Sequence, residues 1–290
     1  MTDETIRLNR DFLGKEYHSE PQIINPDSIR KYALATNERN PRYLSSESDT
    51  ELVPPPIFPV VFLPGILSQL VNDAEEMNFN ILRVVHAEHH MSWKSALHVG
   101  DKIHTTAKII NMEQRGANEI LDLLIQCKRD DEAVVEMTYR LLVRSMKKTD
   151  EKKQVAETRE PEKRVVLVRH QSTVTVDQGV RYAQASGDHN PIHISEEAAK
   201  SVGLPSTILH GLCTMALASQ GIVDGFLDGD PMRLKSMSVR FSRPVLLDQT
   251  LTTEVYDAGE SKEGMKIVHF ETRDEKGVPV LVLGRAEFIE

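Results

Sequence analysis

The feature that most constrains this chain is an internal repeat. Residues 25–44, "NPDSIRKYALATNERNPRYL", match residues 175–194, "TVDQGVRYAQASGDHNPIHI", at one constant offset. Farther along, residues 97–109, "LHVGDKIHTTAKI", match residues 244–256, "PVLLDQTLTTEVY", at a slightly smaller offset. A chain that repeats its plan in this way builds two similar units. We therefore expect two halves of the same fold.

A charged segment separates the two repeats. Residues 145–164, "SMKKTDEKKQVAETREPEKR", are dense in charge and almost free of large apolar side chains, which is typical of a linker. With 290 residues the chain is long enough for two domains of ordinary size. We predict an N-terminal half over residues 1–145, a linker over 146–164 and a C-terminal half over 165–290.

Charge and cysteine content exclude several function classes. A net charge of −9 argues against nucleic-acid binding, because phosphates need a surplus of Lys and Arg. Cys127 and Cys213 lie far apart with no CxxC spacing, so neither a zinc site nor a disulfide framework is expected. The N-terminus is too charged for a signal peptide, and no apolar run reaches membrane-spanning length. We expect a cytoplasmic protein with no nucleic-acid or membrane partner.

Each repeat predicts a helix followed by strands. Asp27 and Asp177 stand where a helix N-cap is expected, because a carboxylate accepts the free N–H groups of the first turn. Asn37 and Gly187 stand at the expected ends, since both tolerate a left-handed backbone. About four segments rich in Val, Ile and Thr then follow in each half, separated by turns.

One further helix is apolar on nearly all sides. The segment "HGLCTMALASQGIVDGF", which starts at His210, has no polar face and should therefore be buried. A buried helix wrapped by a curved antiparallel sheet is the hot-dog architecture, and residues 57–70 supply the corresponding helix of the first half. We predict an α+β fold, a double hot dog with two curved antiparallel sheets that each wrap a central helix.

The bend after the second repeat's helix, "SGDHNPIH", carries the candidate chemistry. By spacing alone, Asp188 and His193 fit an ordinary polar turn at the end of a helix. A carboxylate and an imidazole are also the groups that can activate water and move protons. Asn190 precedes a proline, which favours an extended backbone between Asp188 and His193.

Two motifs together resemble a known family. The segments "YAQASGDHNPIH" and "GLPSTILHGL" resemble the signature of the MaoC-like hydratases and dehydratases, the (R)-specific enoyl-CoA hydratases. The repeat resembles the two-repeat form of peroxisomal hydratase 2. The resemblance implies reversible hydration of a trans-2-enoyl-CoA to a (3R)-3-hydroxyacyl-CoA, in fatty acid metabolism. It implies no cofactor, because the coenzyme A thioester is the substrate.

The resemblance also implies a role for four residues. Asp188 and His193 would be the catalytic pair, supported by Asn190, and the backbone N–H of Gly211 would bind the thioester oxygen. Gly211 stands at the expected start of the buried helix, where free N–H groups and the helix dipole favour negative charge. Simple close packing of the helix is the alternative explanation for a glycine at this position.

The first half keeps the bend but loses these groups. Asp188 corresponds to Glu38, His193 to Tyr43, and Gly211 to a position near Val60. A tyrosine is neutral near pH 7 and accepts protons poorly. We therefore expect one active site per chain, with the first half shaping a tunnel for a longer acyl chain.

Other polar residues are weaker candidates. Arg181, Lys235, Arg240 and Arg243 are candidate contacts for coenzyme A phosphates, although an ordinary solvated surface explains each of them equally well. In the segment "HAEHH", residues 86–90, strand alternation would put His86 and His90 on one face and His89 on the other. No carboxylate pattern completes a metal site there, so we expect no metal.

Two alternative functions stay open. One is a dehydratase acting on an acyl-carrier-protein substrate or on a specialised short hydroxyacyl-CoA, although an acidic carrier should need a basic docking rim. The other is a non-catalytic acyl-thioester-binding protein, which would have no need of an acid–base pair. A homodimer is expected by analogy, because hot-dog sheets commonly pair.

Overall fold

The computed structural model describes residues 7–45, 48–145, 164–261 and 263–290. The predicted linker, residues 146–164, lies outside this described part except for its last residue, so the linker stays a prediction. None of the helices in the described part is long and apolar enough to cross a membrane.

The described residues form six α-helices and eleven β-strands, together with short 3-10 turns. The helices are α1 (Pro26–Ala35), α2 (Pro41–Leu44), α3 (Pro64–Asn72), α4 (Gln178–Ser186), α5 (Glu196–Ser201) and α6 (Gly211–Phe226). The strands of the N-terminal half are β1 (Glu16–His18), β2 (Gln22–Ile23), β3 (Val84–Trp93), β4 (Lys102–Arg115), β5 (Asn118–Arg129) and β6 (Glu132–Val143). Those of the C-terminal half are β7 (Val166–Val174), β8 (Leu234–Phe241), β9 (Gln249–Glu260), β10 (Lys266–Arg273) and β11 (Pro279–Phe288).

All the strands belong to one antiparallel sheet whose order mirrors itself. The order is β1-β4-β5-β6-β3 in the N-terminal half and β8-β11-β10-β9-β7 in the C-terminal half, and β2 pairs with β4 off this path. The halves meet where β3 pairs with β8, in a register that places Met91 opposite Met237. Because each of the ten strands on this path has a counterpart in mirrored order, the predicted double hot-dog architecture is confirmed.

The eight predicted strands are all present, and three more strands were missed. β1 and β2 contain three and two residues, too few for a strand pattern to stand out. β7 follows the charged segment, and its outward positions carry exposed side chains such as Arg169. It pairs with β9 along its length and closes the sheet on that side.

The two central helices differ. α6 begins at Gly211 and is buried along most of its 16 residues, as predicted. The segment over residues 57–70 was predicted to be one helix, and this is wrong. It forms a 3-10 turn over Phe58–Phe62 and only then α3, which starts at Pro64. Pro59 and Pro64 lack a backbone N–H, so a continuous α-helix cannot run through them.

The helix ends of the two repeats are partly as predicted. Gly187 ends α4 with a φ of 79°, and Asn37 follows α1 with a φ of 56°. The N-cap of α1 is Asn25, whose side chain accepts a hydrogen bond from the Ser28 N–H, rather than Asp27. Pro26 explains this difference, because proline is favoured in the first turn of a helix and places the cap before it.

The helices of the two repeats pack against each other across the halves. The ring centroids of Tyr32 and Tyr182 lie 5.7 Å apart, and their buried hydroxyl oxygens are 3.4 Å apart. These two tyrosines occupy equivalent positions in the repeat. The contact therefore marks the approximate two-fold axis that relates the halves.

The C-terminal half caps the end of α1. The carbonyls of residues 34–36 accept hydrogen bonds from Arg181 (2.5 Å), Gln178 (2.6 Å) and Gln220 (2.7 Å). These carbonyls belong to the last turn of the helix and its cap, where the helix itself provides no N–H donors for them. Gln178 is fully buried, so its loss leaves the carbonyl of Ala35 unpaired.

We predict that Gln178→Met lowers the free energy of unfolding by about 1–3 kcal/mol, the usual cost of a buried unpaired polar group. Urea denaturation followed by circular dichroism measures this change. Lys200→Met is the matched control, because it removes only an exposed ion pair with Glu196 and should stay within about 0.5 kcal/mol of the parent. Equal destabilisation by both variants would contradict the prediction.

Candidate active site

The bend between α4 and α5 is built by local hydrogen bonds. Gly187 turns the chain out of α4, and the Asn190 N–H donates to Oδ1 of Asp188 at 3.1 Å. The Asn190 side chain in turn accepts from the Ile192 N–H and caps the 3-10 turn Pro191–His193. Asn190 therefore shapes the loop that carries both predicted catalytic residues.

His193 is buried and held in one tautomer. Its Nδ1 lies 2.8 Å from the carbonyl oxygen of Ile208, which can only accept, so Nδ1 carries the hydrogen. Nε2 then has a free lone pair. Burial lowers the pKa of His193, although the Ile208 carbonyl and the charge of Asp188 oppose the shift. A neutral ring with one free lone pair is suited to accept a proton.

His210, which sequence reasoning did not single out, completes the cluster. Its Nε2–H donates to the carbonyl of Asp188 at 3.0 Å, and its ring stacks on His193 with centroids 3.8 Å apart. Burial and the neighbouring His193 lower the pKa of His210 to about 4. The only sequence signal was its place directly before Gly211. His210 thus ties the bend to the start of α6.

Three of these side chains come close enough to raise the question of a metal. Asp188, His193 and His210 each offer a ligand atom within 4.8 Å of the others. The two imidazole rings are stacked at an angle of only 28°, and ring lone pairs lie in the ring plane. They cannot both converge on one ion at about 2 Å unless a ring turns. The arrangement therefore favours proton transfer over metal binding.

Gly211 is the first residue of α6, and its N–H has no acceptor within the helix. A Cβ at this position would lie 3.1 Å from the ring of Phe241, so glycine permits close packing here. Because the preceding His210 binds Asp188, the N-terminus of α6 lies beside the bend. The predicted donor and the predicted acid–base pair are thus brought together.

Two side chains of the N-terminal half also approach the site. His86 of β3 and Tyr139 of β6 stack with centroids 4.4 Å apart, and His86 lies 4.8 Å from the ring of Phe241. Burial raises the pKa of Tyr139 well above its ordinary value, and the charge of Asp188 adds to that shift. Burial lowers the pKa of His86 to about 4, against the opposing charge of Asp188. Both groups are therefore neutral near pH 7.

The inward position of His86 corrects a sequence expectation. Strand alternation predicted that His86 shares a face with His90 and not with His89, and this is wrong. The register of β3 against β6 shifts between His86 and Glu88, which leaves Ala87 as a bulge. The rings of His86 and His89 consequently meet with centroids 5.4 Å apart, whereas His90 is exposed. A bulge adds one residue and reverses the alternation beyond it.

Three of the four candidate phosphate contacts bind other groups of the protein. The Arg181 guanidinium binds α1 and Asn37, Lys235 donates to the carbonyl of Met232, and Arg240 pairs with Glu88. Arg181 thus holds the two halves together, a structural task that the sequence did not reveal. Arg243 is exposed, and no ion pair to it occurs among the described residues.

The counterpart of this site in the N-terminal half has different chemistry. Burial, with the charge of Asp224, raises the pKa of Glu38 to about 8, so this carboxyl is mostly protonated near pH 7. Burial also raises the pKa of Tyr43 well above its ordinary value. Tyr43 is therefore a poor proton acceptor near pH 7, and the half-site has no imidazole in the place of His193.

Comparisons with known proteins agree with this architecture. The model of the MaoC like domain matches residues 156–278, and that of the FAS1-like, dehydratase domain region matches residues 11–137. A "MaoC-like dehydratase from Phytophthora Capsici" superposes with a TM-score of 0.82 at 23% identity, covering 98% of both chains. A Mycobacterium tuberculosis protein described as having a double hotdog fold superposes with a TM-score of 0.66 at 12% identity, covering 95% of both chains.

Two curated relatives cover different shares of the chain. The chain is 30% identical over 211 residues to "Probable enoyl-CoA hydratase 2" of Dictyostelium discoideum, which is 69% of this chain and 68% of that protein. It is 28% identical over 266 residues to "Peroxisomal multifunctional enzyme type 2" of Drosophila melanogaster, which is 81% of this chain. In that second relative the match spans less than half of the protein, 42%.

We predict that the neutral, buried histidines make the protein less stable in acid. His210 has a pKa of about 4 in the fold and near 6.5 when unfolded, so unfolding takes up a proton between these values. The free energy of unfolding should therefore fall as pH drops from 6.5 to 4, by roughly 2–3 kcal/mol from His210 alone.

Denaturation midpoints at several pH values test this in His210→Gln, whose profile should be flatter than that of the parent. The exposed His98→Gln is the control and should keep the parent profile. An unchanged slope in His210→Gln would show that this ring is not held neutral.

Proposed function

Because this chain belongs to the MaoC-like dehydratase family, with an N-terminal FAS1-like dehydratase region, we propose that it adds water to a trans-2-enoyl-CoA. The product is a (3R)-3-hydroxyacyl-CoA, and the same site catalyses the reverse dehydration. The observation that carries the proposal is the meeting of Asp188, a neutral His193 and the free N-terminus of α6.

His193 is the proposed base. Its Nε2 lone pair accepts the proton that leaves the water, while the Asp188 carboxylate accepts the water's other hydrogen in a hydrogen bond. The oxygen forms its bond to C3 of the enoyl group, and the proton taken by His193 is then available to C2. The proton that His193 takes from the water is the one that C2 receives, so no further acid is required.

The N–H of Gly211 is the proposed donor to the thioester oxygen. Negative charge develops on that oxygen when water adds at C3. A backbone donor at a helix N-terminus stabilises such a charge without having to reorganise. A donor of this kind contributes about a hundred- to a thousandfold in rate.

A second candidate is dehydration of a 3-hydroxyacyl thioester carried by a protein rather than by CoA. The match of residues 11–137 to a FAS1-like dehydratase region favours it. Comparing the rates with CoA and carrier-protein thioesters of the same acyl group distinguishes the two. We also propose that the protein is cytoplasmic and forms a homodimer.

We predict that Asp188→Asn and His193→Gln each lower kcat by about a hundred- to ten-thousandfold, because each removes a proton-transfer group. Loss of the enoyl-thioester absorbance after adding enzyme to crotonyl-CoA and to longer enoyl-CoA substrates measures the rate. His189→Gln, an exposed neighbour in the same bend, is the control and should keep parent activity. A parent protein that leaves every such thioester unchanged would instead indicate a binding protein.

We predict that Gly211→Pro is much less active than Gly211→Ala. Proline is well tolerated at the first position of a helix, and it removes the N–H there. Alanine keeps the N–H but, like proline, adds a Cβ beside Phe241. The ratio of the two kcat values therefore measures the contribution of the N–H donor. We expect Gly211→Ala to be about a hundredfold or more faster than Gly211→Pro. Equal activities would argue that Gly211 serves only packing.

A further inference from the structure

Unpartnered polar atoms gather on the N-terminal side of the active site. Among the described residues, eight buried side-chain nitrogen or oxygen atoms have no hydrogen-bond partner. Five of these belong to His86, His89, Tyr139 and His210. Each such atom costs about 1–3 kcal/mol, so a cluster of them points to a group that is bound during function.

Two of these atoms lie beside the proposed reacting centre. The His86 ring is 4.8 Å from the ring of Phe241, which in turn lies against Gly211. The Tyr139 ring stacks on His86. The charge of Asp188 acts on both His86 and Tyr139, as their shifted pKa values record. The pair therefore lies close to the acid–base groups and to the oxyanion donor.

The reacting water does not satisfy these two groups. A water has two hydrogens, and in the proposed reaction these are taken by Asp188 and His193. A plain alkyl chain offers neither a donor nor an acceptor, so it would leave Nε2 of His86 and the Tyr139 hydroxyl unpaired in the complex. A second polar group on the substrate is needed to pair them.

The chemistry of the pair defines that group. Nε2 of the neutral His86 ring has no partner, and it carries either the ring hydrogen or a lone pair. The Tyr139 hydroxyl can donate. A hydroxyl matches both, because it donates to one and accepts from the other. A carboxylate does not match, since both groups are neutral and Asp188 is nearby.

We propose that the acyl chain of the substrate carries a hydroxyl group beyond C3, and that His86 and Tyr139 bind it. This inference rests on the proposed hydratase function. It makes the N-terminal half a specificity element rather than only the wall of a tunnel. The half-buried Phe241 ring lies between Gly211 and His86.

The test compares kcat/KM for trans-2-octenoyl-CoA with that for the same enoyl-CoA bearing a hydroxyl at carbon 4, 6 or 8. The full-length parent should prefer one of the hydroxylated substrates by about tenfold or more. Tyr139→Phe should abolish this preference, so that in this variant kcat/KM is the same for the hydroxylated substrate and for plain octenoyl-CoA. Because the hydroxyl has no partner in the free protein, Tyr139→Phe should keep or raise the melting temperature.

Tyr43→Phe is the matched control. Its hydroxyl is also buried and unpartnered, but it lies in the half-site without chemistry. This variant should keep the substrate preference of the parent. Turnover without any preference for a hydroxyl, or an equal loss on all substrates in Tyr139→Phe, would overturn this inference alone. No turnover with any thioester would overturn the proposed function and this inference with it.

Discussion

The antiparallel pairing of β3 with β8 is the contact on which the rest of this structure depends. It joins the six strands of the N-terminal half and the five of the C-terminal half into one sheet, and it fixes how the bend of one half faces the strands of the other. Asp188 belongs to the C-terminal half, whereas His86 belongs to β3 itself. Their proximity exists only because the two sheets continue into each other. The candidate site is therefore a property of the pair of halves.

Burial sets the chemical character of the site. His193, His210 and His86 are removed from water, and burial is the largest influence on the pKa of each. Neutral imidazoles retain a lone pair at physiological pH, whereas protonated ones could only donate. The same burial leaves several polar atoms unpaired, a cost in stability that the large shared core offsets. Reactivity and instability thus come from one cause.

Features that depend on nearby residues were predictable, and those that depend on distant ones were not. The repeat, the buried α6 and the turn at Gly187 follow from local patterns, and the structure contains all three. His210 acts through contacts with a bend about twenty residues away, so no spacing rule pointed to it. The bulge at Ala87 depends on the pairing of β3 with β6, so the alternation of side chains along the sequence did not predict it. The contact of Arg181 with the Leu34 carbonyl could not be predicted, because that partner lies in the other half.

The contact between Tyr32 and Tyr182 has a consequence for the history of such a chain. Two identical units that met at this axis would place the same tyrosine on both sides, as a symmetric dimer does. Once both units share one polypeptide, each copy can change without altering the other. Selection can then preserve the proton-transfer groups in one copy while the other accumulates different side chains. Fusion into one polypeptide therefore allows two halves that began as identical units to diverge in function.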